Sequence, residues 1–384
     1  MRINATLAYV LVGGLSALLA APAFAQNAPM SAIDWLSDSV ATPAQPIVAP
    51  PALPDEPGVT TGVKVDAVSV TPLGRPLPDA VGILPAVVTG LPANLWGPSR
   101  PGDVARAIRR EDADMLPALR DMLYTLLLAE LNPPEAPGST GYDIFLARVD
   151  KLLELGAVEQ AEALLARAGP DNPEIFRRWF DAALLLGTEN QICEVMRATP
   201  ELSPTFTARA FCLARGGDWN AAVLTLGTGR ALGFISEEED ALLARFLDPD
   251  LFEGEPPLPV PSAPSPLEFR MFEAIGQAIP TTGLPLAFAQ ADLRANIGWK
   301  ARIEAAERLA RAGAVPENQL LGLYTERRAA ASGGVWDRVA AVQAVDQALK
   351  ANDTQTLTAI LPEAWQQMQL SELEVPFACI FGPA

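Results

Sequence analysis

A glycine recurs in the middle of this chain at a nearly constant spacing, and this spacing constrains the fold more than any other feature. The three positions are Gly156, Gly187 and Gly217, separated by 31 and 30 residues. Apolar residues lie four positions before each glycine and five and nine positions after it. This spacing puts apolar side chains on one face of a helix before the glycine and of a second helix after it. The pattern predicts three consecutive helical hairpins.

A phenylalanine stands eleven residues before each of these glycines. Neither helix of such a hairpin can bury its apolar stripe alone, so each hairpin is expected to stack on the next, as in a solenoid. The sequence therefore predicts an all-α fold, a solenoid of helical hairpins with an extended N-terminal arm. The predicted repeat core consists of Phe145, Gly156, Phe176, Gly187, Phe206 and Gly217.

The residues around these glycines resemble the tetratricopeptide repeat over about residues 142–231. In that repeat, a glycine is followed at fixed positions by an aromatic residue, an alanine, a large residue, a second alanine and a proline. Two units of this chain match it, with a period of 30 to 31 residues instead of about 34. The alternative is an array of helical hairpins unrelated to that family. The matching positions are Gly156, Val158, Ala161, Leu165, Ala168 and Pro173, and Gly217, Trp219, Ala222, Leu226 and Gly229.

The resemblance implies that the first helix of each hairpin lines a groove for a partner. Carried over position by position, it implies a mainly acidic groove, which would favour a partner with a basic segment. The alternative is that the same residues form a solvated surface. The residues concerned are Asp143, Asp150, Glu174, Arg177 and Asp181.

Residues 284–313 and the stretch "GGVWDRV" at 333–339 resemble an uncharacterised family of exported bacterial proteins that carry the automatic label "antifreeze glycopeptide". The chain has no Ala-Ala-Thr tandem and no flat array of threonines, so its residues do not fit the activity in that label. A bias toward Ala, Thr and Pro explains the label better.

Proline density divides the chain. Residues 41–100 contain 12 prolines, which favours extended polyproline II segments. The predicted organisation is a signal peptide (1–25), an extended or disordered arm (26–101), a helical-repeat domain (102–247), a proline-rich linker (248–266) and a second helical domain (267–384). Within the arm, 63–70 could pair as a strand and 77–84 could form a helical turn beginning at Pro78. The alternatives for the arm are disorder throughout or packing of its apolar pieces along the helical body.

Two stretches resemble functional motifs but are better explained as helix. "GTGRALG" (227–233) lacks the spacing and the preceding strand of a dinucleotide-binding loop, so we expect it to be helical. "SEEED" (236–240) has a serine followed by acidic residues, which is what the N-terminus of a helix favours.

The first residues read as an export signal. Arg2 precedes an apolar run, and Ala23, Phe24 and Ala25 form a cleavage site before Gln26. We expect a periplasmic protein that does not insert into the membrane after cleavage. A net charge of −18 disfavours nucleic acid as a partner.

Three cysteines in an oxidising compartment leave one unpaired. Cys193 and Cys212 lie about two turns from the connection between two adjacent antiparallel helices, which predicts a disulfide between them. The alternative is two buried free thiols, because helix axes are usually too far apart for bridging. Cys379 would then be a buried core thiol or an intermolecular link.

The chain contains no histidine, which excludes the Ser-His-Asp and Cys-His catalytic arrangements and every metal site that needs an imidazole. No catalytic residue, metal or cofactor is expected. The sequence predicts a scaffold that binds a protein or peptide. The alternatives are a cell-envelope glycosidase working with two carboxylates, or an accessory to one, and a purely structural spacer.

Overall fold

The computed structural model describes Trp35 and residues 77–112, 114–136 and 141–382. Within these residues the chain is helical and contains no β-strand, and the predicted all-α class is confirmed. Leu84 and Ala129 form an isolated parallel bridge between two non-helical stretches. The α-helices are α1 (Ala86–Thr89), α2 (Pro101–Arg110), α3 (Pro117–Leu128), α4 (Asp143–Glu154), α5 (Val158–Ala168), α6 (Pro173–Leu186), α7 (Glu189–Ala198), α8 (Phe206–Arg215), α9 (Trp219–Ala231), α10 (Glu237–Leu247), α11 (Pro266–Ala274), α12 (Trp299–Arg311), α13 (Glu317–Thr325), α14 (Val335–Lys350), α15 (Thr354–Gln369) and α16 (Glu374–Phe381).

The helices begin at residues suited to a first turn. Pro117, Pro173 and Pro266 are the first residues of α3, α6 and α11, where the missing amide hydrogen costs nothing. Ser236 caps α10, and its hydroxyl and the Glu239 carboxylate accept hydrogen bonds from each other's backbone amides. The "SEEED" stretch is thus the start of a helix, and "GTGRALG" lies largely within α9, as predicted.

The repeating glycines end the first helix of each hairpin in the same way. Gly156, Gly187 and Gly217 have φ values of 78°, 78° and 83°, in the left-handed region. In each case the backbone amide of the residue after the glycine donates a hydrogen bond to the carbonyl of the residue four positions before the glycine. At Gly156, for example, the amide of Ala157 donates to the carbonyl of Leu152. This is the Schellman arrangement, and it accounts for the glycine and for its regular distance from the apolar residues.

Helices that follow one another along the chain pack on one another from α4 to α11. Phe145 and Phe176 are fully buried in the resulting core. Phe206 is half-buried and stacks on Phe234 with their ring centroids 5.2 Å apart. The first two phenylalanines therefore share a core environment, whereas the third lies nearer the surface.

The buried apolar residues form two clusters, and helix α12 contributes residues to both. One cluster of buried residues extends from Trp35 and Val81 as far as Val315 and includes α11, which packs against α6 and α10. A second cluster extends from Trp299 to Phe377. Packing therefore continues across the proline-rich segment 248–266, which contains one 3-10 turn at Pro249–Phe252 and ends at the first residue of α11.

The described parts of the N-terminal arm pack on the helical body. Trp35 is buried with its ring edge-on to Phe288, at a centroid distance of 5.5 Å. A 3-10 turn at Pro78–Ala80 begins with Pro78, which confirms the helical turn predicted there. The predicted signal peptide and the predicted strand at 63–70 lie outside the described residues.

We predict that Gly156→Ala destabilises the fold more than Gly217→Ala does. Both positions have a positive φ, so an alanine in either should cost about 1 kcal/mol. At Gly156 the added Cβ would lie 2.8 Å from Leu309 Cδ2 and 2.9 Å from Leu286 Cγ, whereas nothing lies within 4 Å at Gly217. Overpacking should add about 1–3 kcal/mol at Gly156. Urea unfolding of the two variants measures the difference, and equal losses would contradict this account.

Candidate functional site

The acidic groove implied by the repeat resemblance is largely covered by other parts of the chain. Asp150 in α4 and Arg177 and Asp181 in α6 are buried, and Asp143 and Glu174 are half-buried. Helix α2 packs on α4, and α6 packs on α11 and on the 3-10 segment Leu286–Leu293. Partner binding by these five residues stays a prediction, but a partner would reach the three buried ones only after displacing elements of the fold.

Asp150 takes part in a buried ion pair between α4 and α6. Arg178 donates from Nε and Nη2 to the two carboxylate oxygens of Asp150, at 2.5 and 3.2 Å, and from Nη1 to Glu174, at 2.9 Å. Burial alone would lower the pKa of Arg178, but the charge of Asp150 and these hydrogen bonds outweigh it and raise the pKa. Arg109 of α2 lies 3.9 Å from the same aspartate. Asp150 thus pairs with one buried cation, Arg178, and lies near a half-buried one, Arg109.

Asp150→Ala is expected to lower the free energy of unfolding by about 3–5 kcal/mol, because it leaves Arg178 buried without its main counter-ion. Glu304→Ala in α12 is the control. It removes a carboxylate whose partner Lys300 is 59% exposed and which is itself 43% exposed, so a loss below about 1 kcal/mol is expected. Denaturant titrations at one pH compare the two. Wild-type stability of Asp150→Ala would mean that the aspartate has no structural role.

Arg148 of α4 is fully buried and binds backbone carbonyls, a role that the sequence analysis did not foresee. Its Nε donates to Leu127 O at 2.7 Å, its Nη2 to Ala129 O at 2.8 Å and its Nη1 to Val81 O at 2.8 Å. Burial lowers the pKa of Arg148 to about 10, although the charge of Asp79 acts in the opposite direction. The guanidinium therefore satisfies carbonyls at the C-terminal end of α3 that the helix itself leaves unpaired.

Lys151, almost one turn further along α4, does the same for α2. Its Nζ donates to the carbonyls of Arg109 and Glu111, at 3.1 and 2.7 Å, and to Glu154 Oε2 at 2.7 Å. Arg148 and Lys151 of α4 thus donate hydrogen bonds to carbonyls at the C-terminal ends of α3 and α2. The sequence carries a signal for Arg148 alone, which lies on the apolar side of α4, whereas Lys151 shares a polar face with Asp143, Asp150 and Glu154.

Between α2 and α3 lies an open apolar groove of about 890 Å³, here called the α2–α3 groove. Ile108 and Leu123 are buried at its base, whereas Leu119 and Met122 are 48% and 64% exposed at its rim. Its volume lies within the range of ordinary ligand sites. The groove is lined by Thr89, Leu91, Trp96, Ser99, Val104, Ala107, Ile108, Glu111, Asp112, Met115, Leu119, Met122, Leu123, Thr125 and Leu126.

The charged residues that line this groove are Glu111 and Asp112, both exposed. Neither forms an ion pair with another described residue. No arginine of α2 lines the groove: Arg106 pairs with Asp103, Arg109 lies against Asp150, and Arg110 is exposed next to Glu111 in the sequence. The α2–α3 groove is therefore an apolar surface with negative charge beside the C-terminal end of α2.

A second exposed apolar surface lies on α9. Trp219, Val223 and Leu224 are exposed there, although Leu226 of the same helix is buried. These residues form a convex helix face, whereas the α2–α3 groove is concave. The exposed face of α9 is therefore a suitable control for experiments on the α2–α3 groove, because it is also apolar.

The disulfide predicted between Cys193 and Cys212 is present and joins α7 to α8, with the two Cα atoms 5.0 Å apart. Both cysteines are buried. Cys379 is free and exposed, so the alternative that places it in the core is wrong, and an intermolecular link stays a prediction. It lies in α16, whose buried residues are Pro376 and Phe377.

Replacing both bridged cysteines, as Cys193→Ala with Cys212→Ala, is expected to lower the free energy of unfolding by about 3 kcal/mol, mainly because the unfolded chain regains the freedom of the closed loop. Cys379→Ala should leave it unchanged. Urea unfolding of protein purified without reductant measures both. An unchanged midpoint for the double variant would mean that the bond adds no stability.

No family model, curated protein or solved structure matches this chain. In the part of the chain that the structure describes, no helix is both long and apolar enough to span a bilayer. Nor do the Cys, Asp and Glu residues of that part form a cluster suited to holding a metal ion.

Proposed function

We propose that this chain is an exported, periplasmic protein whose helical-repeat body binds a protein or peptide partner and performs no catalysis of its own. The observation that carries the proposal is the α2–α3 groove. A concave, mostly apolar surface with a small number of polar groups is the usual form of a binding site. Met115 and Met122 in its lining suit contact with a partner, because methionine side chains adapt to the shape opposite them.

A tetratricopeptide-like solenoid is the architecture we propose for the body. Three hairpins with the same glycine geometry, and packing between successive helices, support it. In such an array each hairpin contacts mainly its neighbours, which leaves long surfaces free for binding. Here the face expected to bind lies against α2 and α11, so we assign binding to the α2–α3 groove instead.

The Cys193–Cys212 disulfide supports the periplasmic location, since such bonds persist in oxidising compartments. The apolar run before the Ala23, Phe24 and Ala25 cleavage site supports export. Both arguments are independent of the groove. Export and binding can therefore be tested separately.

Site-specific photo-crosslinking in the native cell envelope tests the binding function. A photo-reactive amino acid at Leu119, on the rim of the groove, should give a discrete adduct with another protein or peptide. The same amino acid at Leu224 on α9, 71% exposed, is the control and should not give that adduct. Absence of an adduct at both positions would overturn the proposal, whereas an adduct at Leu224 alone would move the binding site to α9.

A further inference from the structure

The shape and backbone chemistry of the α2–α3 groove favour a helix as its occupant. The lining residues of α2 follow the spacing of one helix face (Val104, Ala107 and Ile108), and Leu119, Met122, Leu123 and Leu126 do so on α3. The polar lining side chains are few, and the described residues offer no β-strand edge. An extended peptide would leave its backbone groups unpaired there, whereas a helix satisfies its own.

The charge in the groove favours a basic occupant. Glu111 and Asp112 supply its charged side chains, and both carboxylates lack a cationic partner among the described residues. A lysine or arginine on an incoming helix would meet an exposed negative pair, while the rest of the helix meets apolar side chains. The overall charge of −18 would attract the same partner from a distance.

We infer that the α2–α3 groove binds a basic amphipathic helix. The apolar stripe of that helix packs on Ile108, Leu119, Met122 and Leu123, and a lysine or arginine at the edge of the stripe contacts Glu111 and Asp112. This inference rests on the proposed binding function and adds the chemical class of the partner. It differs from the groove implied by the repeat resemblance, because it lies outside the hairpins and on α2 and α3.

The probe is a fluorescent amphipathic peptide of about 18 residues, long enough to form a helix, with leucine on one face and lysine on the other. A matched peptide carries glutamate in place of lysine. Fluorescence anisotropy with the full exported chain should show tighter binding of the lysine peptide, by about tenfold or more. Its affinity should fall severalfold between about 50 and 300 mM salt, because charge contributes to binding.

Two variants locate the site. Leu119→Asp should weaken binding of the lysine peptide by about tenfold, because it puts a charged carboxylate where the apolar stripe of the peptide packs. Leu224→Asp on α9 introduces the same charge at an exposed leucine and should not weaken binding. Both variants add negative charge and so increase non-specific attraction of a cationic peptide. A loss seen only with Leu119→Asp therefore reports the groove.

Glu111→Gln combined with Asp112→Asn should abolish most of the preference for the lysine peptide and flatten its salt dependence. No binding of the lysine peptide, or binding unaffected by Leu119→Asp, would overturn the inference. Equal binding of both peptides that is lost with Leu119→Asp would overturn the basic class of partner and leave the proposed binding function standing. An adduct at Leu119 in the cell with no peptide binding in solution would do the same.

Discussion

The placement of α2 and α3 depends on two buried cations of α4. Arg148 holds the carbonyls of Leu127 and Ala129 at the end of α3, and Lys151 holds those of Arg109 and Glu111 at the end of α2. A helix end buried without partners would leave carbonyls unpaired, at a cost of about 1–3 kcal/mol for each. Because both ends are held by one rigid helix, the distance between α2 and α3 is defined, and with it the width of the groove between them.

Ion pairs also connect α4 to α6 and to α2. Asp150 lies between Arg178 of α6 and Arg109 of α2, so one carboxylate links the first helices of two hairpins to the segment that precedes them. Buried ion pairs add little to the net free energy of unfolding, but they favour one packing of the helices over others. Any other packing would leave a buried charge without its partner. In this chain they fix which surface of the hairpins is covered.

The covered surface changes where a partner is expected to bind. A tetratricopeptide-like array would present the first helices of its hairpins, and here α2 and α11 occupy part of that position. The remaining concave apolar surface is formed by α2 and α3 themselves, outside the three hairpins. Its lining combines apolar residues from two helix faces with a pair of exposed carboxylates, and this combination supports the proposed partner class.

The sequence by itself determined the local elements. The glycine spacing and the residues around it predicted hairpins, and proline and serine positions predicted where helices begin, because turn conformation and capping depend on a few neighbouring residues. The Cys193–Cys212 bond was also predictable, since both cysteines lie at similar heights on adjacent helices. These features need no knowledge of distant contacts.

Only the tertiary structure decided which faces of those helices are exposed. Asp150 and Arg177 read as surface charges by their spacing, but they are buried because segments far away in sequence pack over them. The α2–α3 groove could not be predicted for the same reason. Each of its two helices carries an ordinary apolar stripe, and the neighbouring sequence does not indicate that these stripes remain partly exposed. Burial is a property of the whole packed chain, so the hairpins could be predicted from sequence and the open groove could not.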